Sequence, residues 1–96
     1  MTYPSLDTSE FVLKGDWVQE GLDIVADETA CRIGYLTRNI LVKVAVDFSG
    51  WATLYRDATD GRYWELTYPD SYEHGGGAPM LACLEIEEIK LRYVID

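Results

Sequence analysis

Basic residues are scarce in this 96-residue chain, in which eight lysines and arginines stand against seventeen aspartates and glutamates for a formal net charge of -9. Nucleic acid and anionic lipid are both bound mainly through lysine and arginine contacts to phosphate. We therefore expect neither nucleic acid nor a membrane as a partner. A basic protein is the natural partner, although acidity can also serve only to keep a small protein soluble.

Histidine and cysteine are scarce too, with one histidine, His74, and two cysteines, Cys31 and Cys83. The wide spacing of the cysteines forms no metal-binding motif, and we expect both to be buried free thiols. No run approaches the ~20 apolar residues of a membrane span, and the first residues lack the basic and apolar regions of a secretory leader. The expected location is the cytoplasm.

Apolar residues are not scarce, since they make up 48% of the chain, which is enough for a folded core. The length suits one domain over residues 1–96. Helical spacing of apolar residues predicts a main helix over 27–39, with Asp27 as its N-cap, and a short C-terminal helix over 85–94. The first 25 residues predict one or two short extended pieces.

Alternating apolar residues predict the strands. The clearest alternation runs from Ile40 through Val42, Val44 and Val46 to Phe48, which indicates a half-buried strand with these side chains inward. Turn residues separate further strands, which are predicted over 51–56, 62–68 and 80–84.

The predicted fold is therefore α+β. It comprises an antiparallel β-meander sheet of about four to five strands packed against one main helix, with a short C-terminal helix. In the strand over 62–68, Trp64 belongs to the packed face, and Glu65 belongs to a face that is free to meet solvent or a partner.

The loop YPDSYEHGGGAP, residues 68–79, carries the main candidates for chemistry, since the acidic segment 57–65 has only the start of a calcium-binding pattern. His74 could act as a base beside Ser71 or Glu73, but adjacency in sequence does not create the geometry of a catalytic triad. Asp70, Glu73 and His74 supply metal-ligand atoms, but their spacing matches no zinc motif. We therefore predict a protein that is not an enzyme and has no catalytic residue, metal or cofactor.

The glycine run Gly75-Gly76-Gly77 leaves two interpretations open. A phosphate cradle is disfavoured because Pro79 and an extended segment follow, where phosphate loops lead into a helix. The glycines and Pro79 could merely turn a corner, or they could shape a surface that another protein recognises. In the second interpretation an acidic, tyrosine-bearing patch binds the partner. Its candidate residues are Asp57, Asp60, Glu65, Asp70, Tyr72, Glu73 and His74.

Three blocks of the sequence carry a family resemblance: VADETACRIGYL, VKVAVDFSGWATLYRDATDGRYWELTYPDSYEHGGGAP and MLACL. They resemble the immunity protein 27 family of bacterial polymorphic toxin systems over most of the chain, from about Leu6 to Tyr93. The positions that match the family block are Asp27, Glu28, Trp51, Arg56, Asp57, Asp60, Gly61, Trp64, Glu65, Tyr68, Pro69, Gly75, Gly76, Gly77 and Pro79.

The resemblance implies a small cytoplasmic protein that binds and neutralises a cognate toxin domain and is not an enzyme. The acidic surface adds the hypothesis that the toxin is a nuclease whose basic cleft is occupied by the inhibitor. An acidic adaptor or structural module without a toxin partner is the alternative. The apolar C-terminal segment also leaves open an interface with a second copy, as in a homodimer.

Overall fold

The computed structural model describes residues 2–69 and 77–94. Seven strands and two helices lie in these ranges, in agreement with the predicted α+β class. In chain order they are β1 (Val12–Lys14), β2 (Trp17–Glu20), β3 (Asp23–Ala26), α1 (Glu28–Asn39), β4 (Val42–Val46), β5 (Thr53–Arg56), β6 (Tyr63–Thr67), β7 (Met80–Leu84) and α2 (Ile86–Arg92).

Five of the strands form one antiparallel sheet in the order β1-β7-β6-β5-β4. Strands β4 to β7 are the predicted meander, which is confirmed, and β1 adds to the edge formed by β7. Strands β2 and β3 pair only with each other, as a separate hairpin. The N-terminal region therefore holds three strands, one more than expected.

Helix α1 covers one face of the sheet. Its predicted N-cap is confirmed, because a side-chain oxygen of Asp27 accepts a hydrogen bond from the Ala30 backbone N–H at 2.8 Å. Such a cap satisfies one of the backbone donors that the first turn of a helix leaves free. The helix and the sheet bury a common apolar core: Leu13, Ile33, Leu36, Leu41, Trp64 and Leu81.

Helix α2 lies on the opposite face, where the sequence predicted a free surface. Its buried residue Ile89 and Tyr93, which directly follows the helix, pack with Ala52 and Leu54 in a second core. The expectation of one free face is therefore wrong where α2 lies, because an amphipathic C-terminal helix has its own apolar side to bury.

The predicted orientation of β4 is also wrong. The side chains of Val42, Val44 and Val46 are exposed, whereas Ala45 packs against the second core. Ile40 and Leu41, just before the strand, both pack in the first core. The pairing of β4 with β5 shifts register between Lys43 and Ala45, as at a β-bulge. A shift of one residue exchanges the two faces of a strand, and this segment has apolar residues in both sets.

Candidate partner-binding surface

The turn between β5 and β6 buries the first candidate carboxylate. Asp57 is only 2% exposed, and its Oδ1 accepts a hydrogen bond from the Thr59 backbone N–H at 2.9 Å. The Gly61 N–H donates to the Asp57 carbonyl at 2.7 Å, with Gly61 at a φ of 80°. The predicted turn is confirmed. The expectation that Asp57 presents charge at the surface is wrong, because its carboxylate is enclosed within the turn.

Asp60 is exposed, but its charge is paired. Its Oδ2 lies 2.6 Å from Nε of Arg62, and a hydrogen bond from the Arg62 backbone N–H lowers the pKa of the Asp60 carboxyl. The guanidinium of Arg62 also donates to the backbone carbonyls of Asp7 and Glu10, at 2.9 Å and 2.6 Å. Arg62 thus ties the N-terminal segment to the sheet while it neutralises Asp60.

Glu65 is an internal bridge between β6 and α2. It is 5% exposed, and its carboxylate lies 2.7 Å from Nη1 of Arg92 and accepts a hydrogen bond from the Tyr93 hydroxyl at 2.8 Å. Burial, and then the bond to Glu65, raise the pKa of Tyr93. The expectation that Glu65 lies on a free face is therefore wrong, because α2 brings a cation and a hydroxyl over it.

The structure describes the glycine-rich loop only at its two ends, residues 68–69 and 77–79. Gly77 adopts a φ of 71°, a backbone conformation that glycine takes without steric cost. The Pro79 carbonyl accepts a hydrogen bond from the Gly15 N–H at 2.9 Å. The remaining candidates of the loop lie outside the described residues and stay predictions: Asp70, Tyr72, Glu73, His74, Gly75 and Gly76.

A groove of about 260 Å³ opens beside Gly77 and Pro79. Apolar residues of α1, of the base of the β2–β3 hairpin and of the end of β6 contribute most of its walls, and Arg38 contributes a cation. The lining residues are Trp17, Ala26, Ala30, Ile33, Gly34, Thr37, Arg38, Leu66, Tyr68, Gly77 and Pro79.

Exposed apolar side chains also lie outside this groove in the described residues. On the β2–β3 hairpin, Val18, Leu22 and Ile24 are exposed, and at the β4–β5 turn Phe48 and Trp51 are exposed. Others lie on β1, on β4 and on α2 and the residues that follow it. Exposed apolar groups that gather in one place are typical of surfaces that bind other proteins.

The described residues contain no group of three or more histidine, cysteine, aspartate or glutamate side chains that could hold a metal ion. Cys31 and Cys83 are both free, as expected, but Cys31 is exposed and Cys83 is half-buried. The expectation that both thiols are buried is wrong, because Cys31 lies away from the α1 residues that contact the sheet. Neither helix in the described part of the chain has the length and apolar content needed to cross a membrane.

The fold and its surface define a small acidic α+β protein with exposed apolar side chains suited to contact with another protein. Residues 19–85 match the family model of Immunity protein 27, and the chain belongs to that family. The match runs from within β2 to just beyond β7 and confirms the family indicated by the sequence. Comparisons with curated proteins and with solved structures found no match.

Sequence reasoning missed the cations that neutralise two of the candidate carboxylates. Arg62 follows Asp60 by two residues, and this spacing could have indicated the pair. Arg92 and Tyr93 are 27 and 28 residues from Glu65, so no local pattern connects them. The available signal was the apolar side of the C-terminal helix, which needs a sheet face to cover. The β2–β3 hairpin was missed as a candidate surface altogether.

Proposed function

We propose that this protein is an immunity protein that binds a cognate polymorphic toxin domain in the bacterial cytoplasm and neutralises it without catalysing a reaction. The family match over residues 19–85 is the observation that carries the proposal. The formal net charge of -9 supports a basic toxin surface as the partner.

The proposed toxin is a nuclease, because an enzyme that holds nucleic acid needs a basic cleft. Carboxylates of the inhibitor occupy that cleft in place of phosphates and draw the two proteins together over a long range. In the described residues, the exposed carboxylates on the side that meets the toxin serve this role. The buried Asp57 and Glu65 act through the shape of the turn and the position of α2. Asp70, Tyr72, Glu73 and His74 remain proposed contacts.

The test is co-expression with the toxin domain encoded by the neighbouring gene. We expect restored growth and a complex that survives co-purification. Raising salt from ~50 to ~500 mM shortens the screening length severalfold and should slow association by about tenfold or more. Recovery of both proteins without a complex would contradict the proposal and favour an adaptor without a toxin partner. Association that is indifferent to salt would contradict the electrostatic mechanism alone.

A His74→Ala variant separates binding from catalysis. Any histidine-dependent reaction must use His74, since it is the only histidine in the chain. Because His74 is also a proposed contact, we expect this variant to bind the toxin up to about tenfold more weakly but still to protect cells. Turnover of a substrate by the purified protein, with loss of protection in the variant, would instead indicate an enzyme.

A further inference from the structure

Within residues 2–69 and 77–94, few contacts support the β2–β3 hairpin beyond its base. There the Asp27 N–H donates to the Asp16 carbonyl at 2.9 Å, and Trp17 and Ala26 line the groove beside α1. Toward the tip, Ile24 is 72% exposed and Leu22 is 101% exposed. Two-stranded hairpins are marginally stable in water unless a further element packs on them. The outer part of this hairpin therefore displays apolar side chains that the fold does not bury.

The pairing register gives the hairpin two chemically different faces. Gln19 pairs with Ile24, and Trp17 with Ala26, so one face continues from the groove to the exposed Ile24. Val18 pairs with Val25, and Glu20 with Asp23, so the other face is apolar near the base and acidic near the tip. Cross-strand partners share a face because side chains alternate along a strand.

The charge of this region has one sign. Between Lys14 and Arg32 the chain has five acidic residues and no lysine or arginine: Asp16, Glu20, Asp23, Asp27 and Glu28. Glu20 lies directly opposite Asp23, an arrangement of like charges that destabilises a strand pair. Neither carboxylate forms a salt bridge with any residue in the ranges 2–69 and 77–94. A cationic surface placed over this pair would relieve the repulsion.

We propose that the β2–β3 hairpin is the element that enters the toxin, and that its receptor is a basic cleft with an apolar wall. This inference rests on the proposed immunity function and specifies the surface that performs it. A cleft is favoured over a flat surface because the two faces and the tip each display groups that a partner could cover. The four-residue strands give a reach of about 13 Å, at roughly 3.3 Å per residue.

A second copy of the chain is a poor occupant for the hairpin. In a two-fold symmetric contact the same patch meets itself, so the acidic residues of one hairpin would face those of the other. The absence of any lysine or arginine between residues 15 and 31 leaves no opposite charge within the patch to offset this repulsion. The toxin is therefore the partner that the charge of the hairpin favours.

The test measures the Kd of the full chain for an inactivated form of the toxin domain encoded beside it, by titration calorimetry. Leu22→Ser with Ile24→Ser removes the apolar contacts, and Glu20→Lys with Asp23→Lys reverses the acidic pair. Phe48→Ser with Trp51→Ser and Glu85→Lys with Glu87→Lys make matched changes elsewhere on the surface. Thermal midpoints and circular dichroism establish that each variant is folded.

We expect each hairpin variant to weaken binding by at least about tenfold, as central contacts of an interface do, and each matched control by less than about threefold. Hairpin variants that bind like the natural chain would overturn the inference and leave the proposed function standing. Weakening confined to the Phe48 and Trp51 variant would also overturn it, by assigning the interface to the β4–β5 turn. A natural chain that does not bind the toxin would overturn the proposed function, and the inference with it.

Discussion

The carboxylates of the main sheet and those of the β2–β3 hairpin have opposite surroundings. Glu65 is buried between two strands of the sheet and α2, where Arg92 contacts it at 2.7 Å. Glu20 and Asp23 face each other on the hairpin and have no cation partner in the part of the chain that the structure describes. Net charge alone therefore does not locate a binding surface, because only unpaired, exposed charges can attract a partner strongly.

The apolar residues of the two regions differ in the same way. Both faces of the sheet are covered in part by helices, and each helix buries its own core. The hairpin has comparable apolar residues, but none of the elements in the described residues packs over its outer part. Substitutions in the sheet should therefore lower the free energy of unfolding more than equivalent substitutions on the hairpin. Two experiments test this contrast, and a third measures an ion pair outside both regions.

The largest effect is expected from reversing a buried charge. Glu65→Lys replaces the carboxylate with a cation beside Arg92 and removes the acceptor of the Tyr93 hydroxyl. Arg92 is half-exposed, but position 65 is buried, and an uncompensated charge at a buried position costs about 3–5 kcal/mol of the free energy of unfolding. Glu20→Lys on the hairpin should change it by less than about 0.5 kcal/mol. Urea denaturation measures both, and equal losses would contradict the contrast.

A smaller loss of stability is expected at Gly15, which precedes the hairpin and packs against α1 and Pro79. A Cβ at Gly15 would lie 2.8 Å from the Ala30 Cβ and 2.9 Å from the Pro79 carbonyl oxygen. Gly15→Ala should therefore cost about 1–3 kcal/mol, as overpacking does. Gly34→Ala is the control, because its Cβ would meet only the mobile end of Arg38, at 3.2 Å. Alanine there should be neutral or stabilising by up to about 1 kcal/mol. Thermal unfolding of both variants decides the sign at each position.

The smallest effect is a loss of stability in acid. Hydrogen bonds from Arg32 lower the pKa of Glu10 from 4.5 to about 2. Because the folded-state pKa is below that of the unfolded chain, this stabilisation is fully present above pH 4.5 and is lost as the pH falls toward 2. For a partly exposed pair the loss should be about 1 kcal/mol.

The Glu10→Gln variant is the control for this titration. It cannot ionise at position 10, so its free energy of unfolding should fall less steeply than that of the natural chain between pH 4.5 and 2. Parallel curves for the two proteins would show that the pair formed by Glu10 and Arg32 does not contribute. Urea denaturation at fixed ionic strength supplies both curves.

Elements with local signals could be predicted from the sequence. Asp27 and the apolar spacing that follows it place α1 correctly, because an N-cap and an amphipathic face are encoded within about ten residues. The meander over β4 to β7 is likewise marked by turn residues, among them Gly61 at its positive φ. The family assignment rests on the same local blocks and is confirmed over residues 19–85.

Side-chain roles that depend on distant residues could not be predicted. Alternation placed Glu65 and Trp64 on opposite faces of β6. It could not show that α2 covers the face that carries Glu65. Around β4 apolar residues occur in both alternating sets, with Leu41 and Ala45 in the set that also holds Lys43, so the pattern did not show the register shift. For the candidate site, the sequence therefore predicted the turn at 57–61 correctly but wrongly placed the Asp57 and Glu65 carboxylates at the surface.

By itself, the sequence determined the family, the acidic character, the α+β elements and the turns, because each depends on composition or on residues close together along the chain. Only the tertiary structure decided which carboxylates are neutralised and which apolar residues stay exposed. Those outcomes depend on contacts such as that of Arg92 with Glu65, across 27 residues, and on which face of the sheet each helix covers. Burial and ion pairing are properties of the packed chain, and local patterns do not specify them.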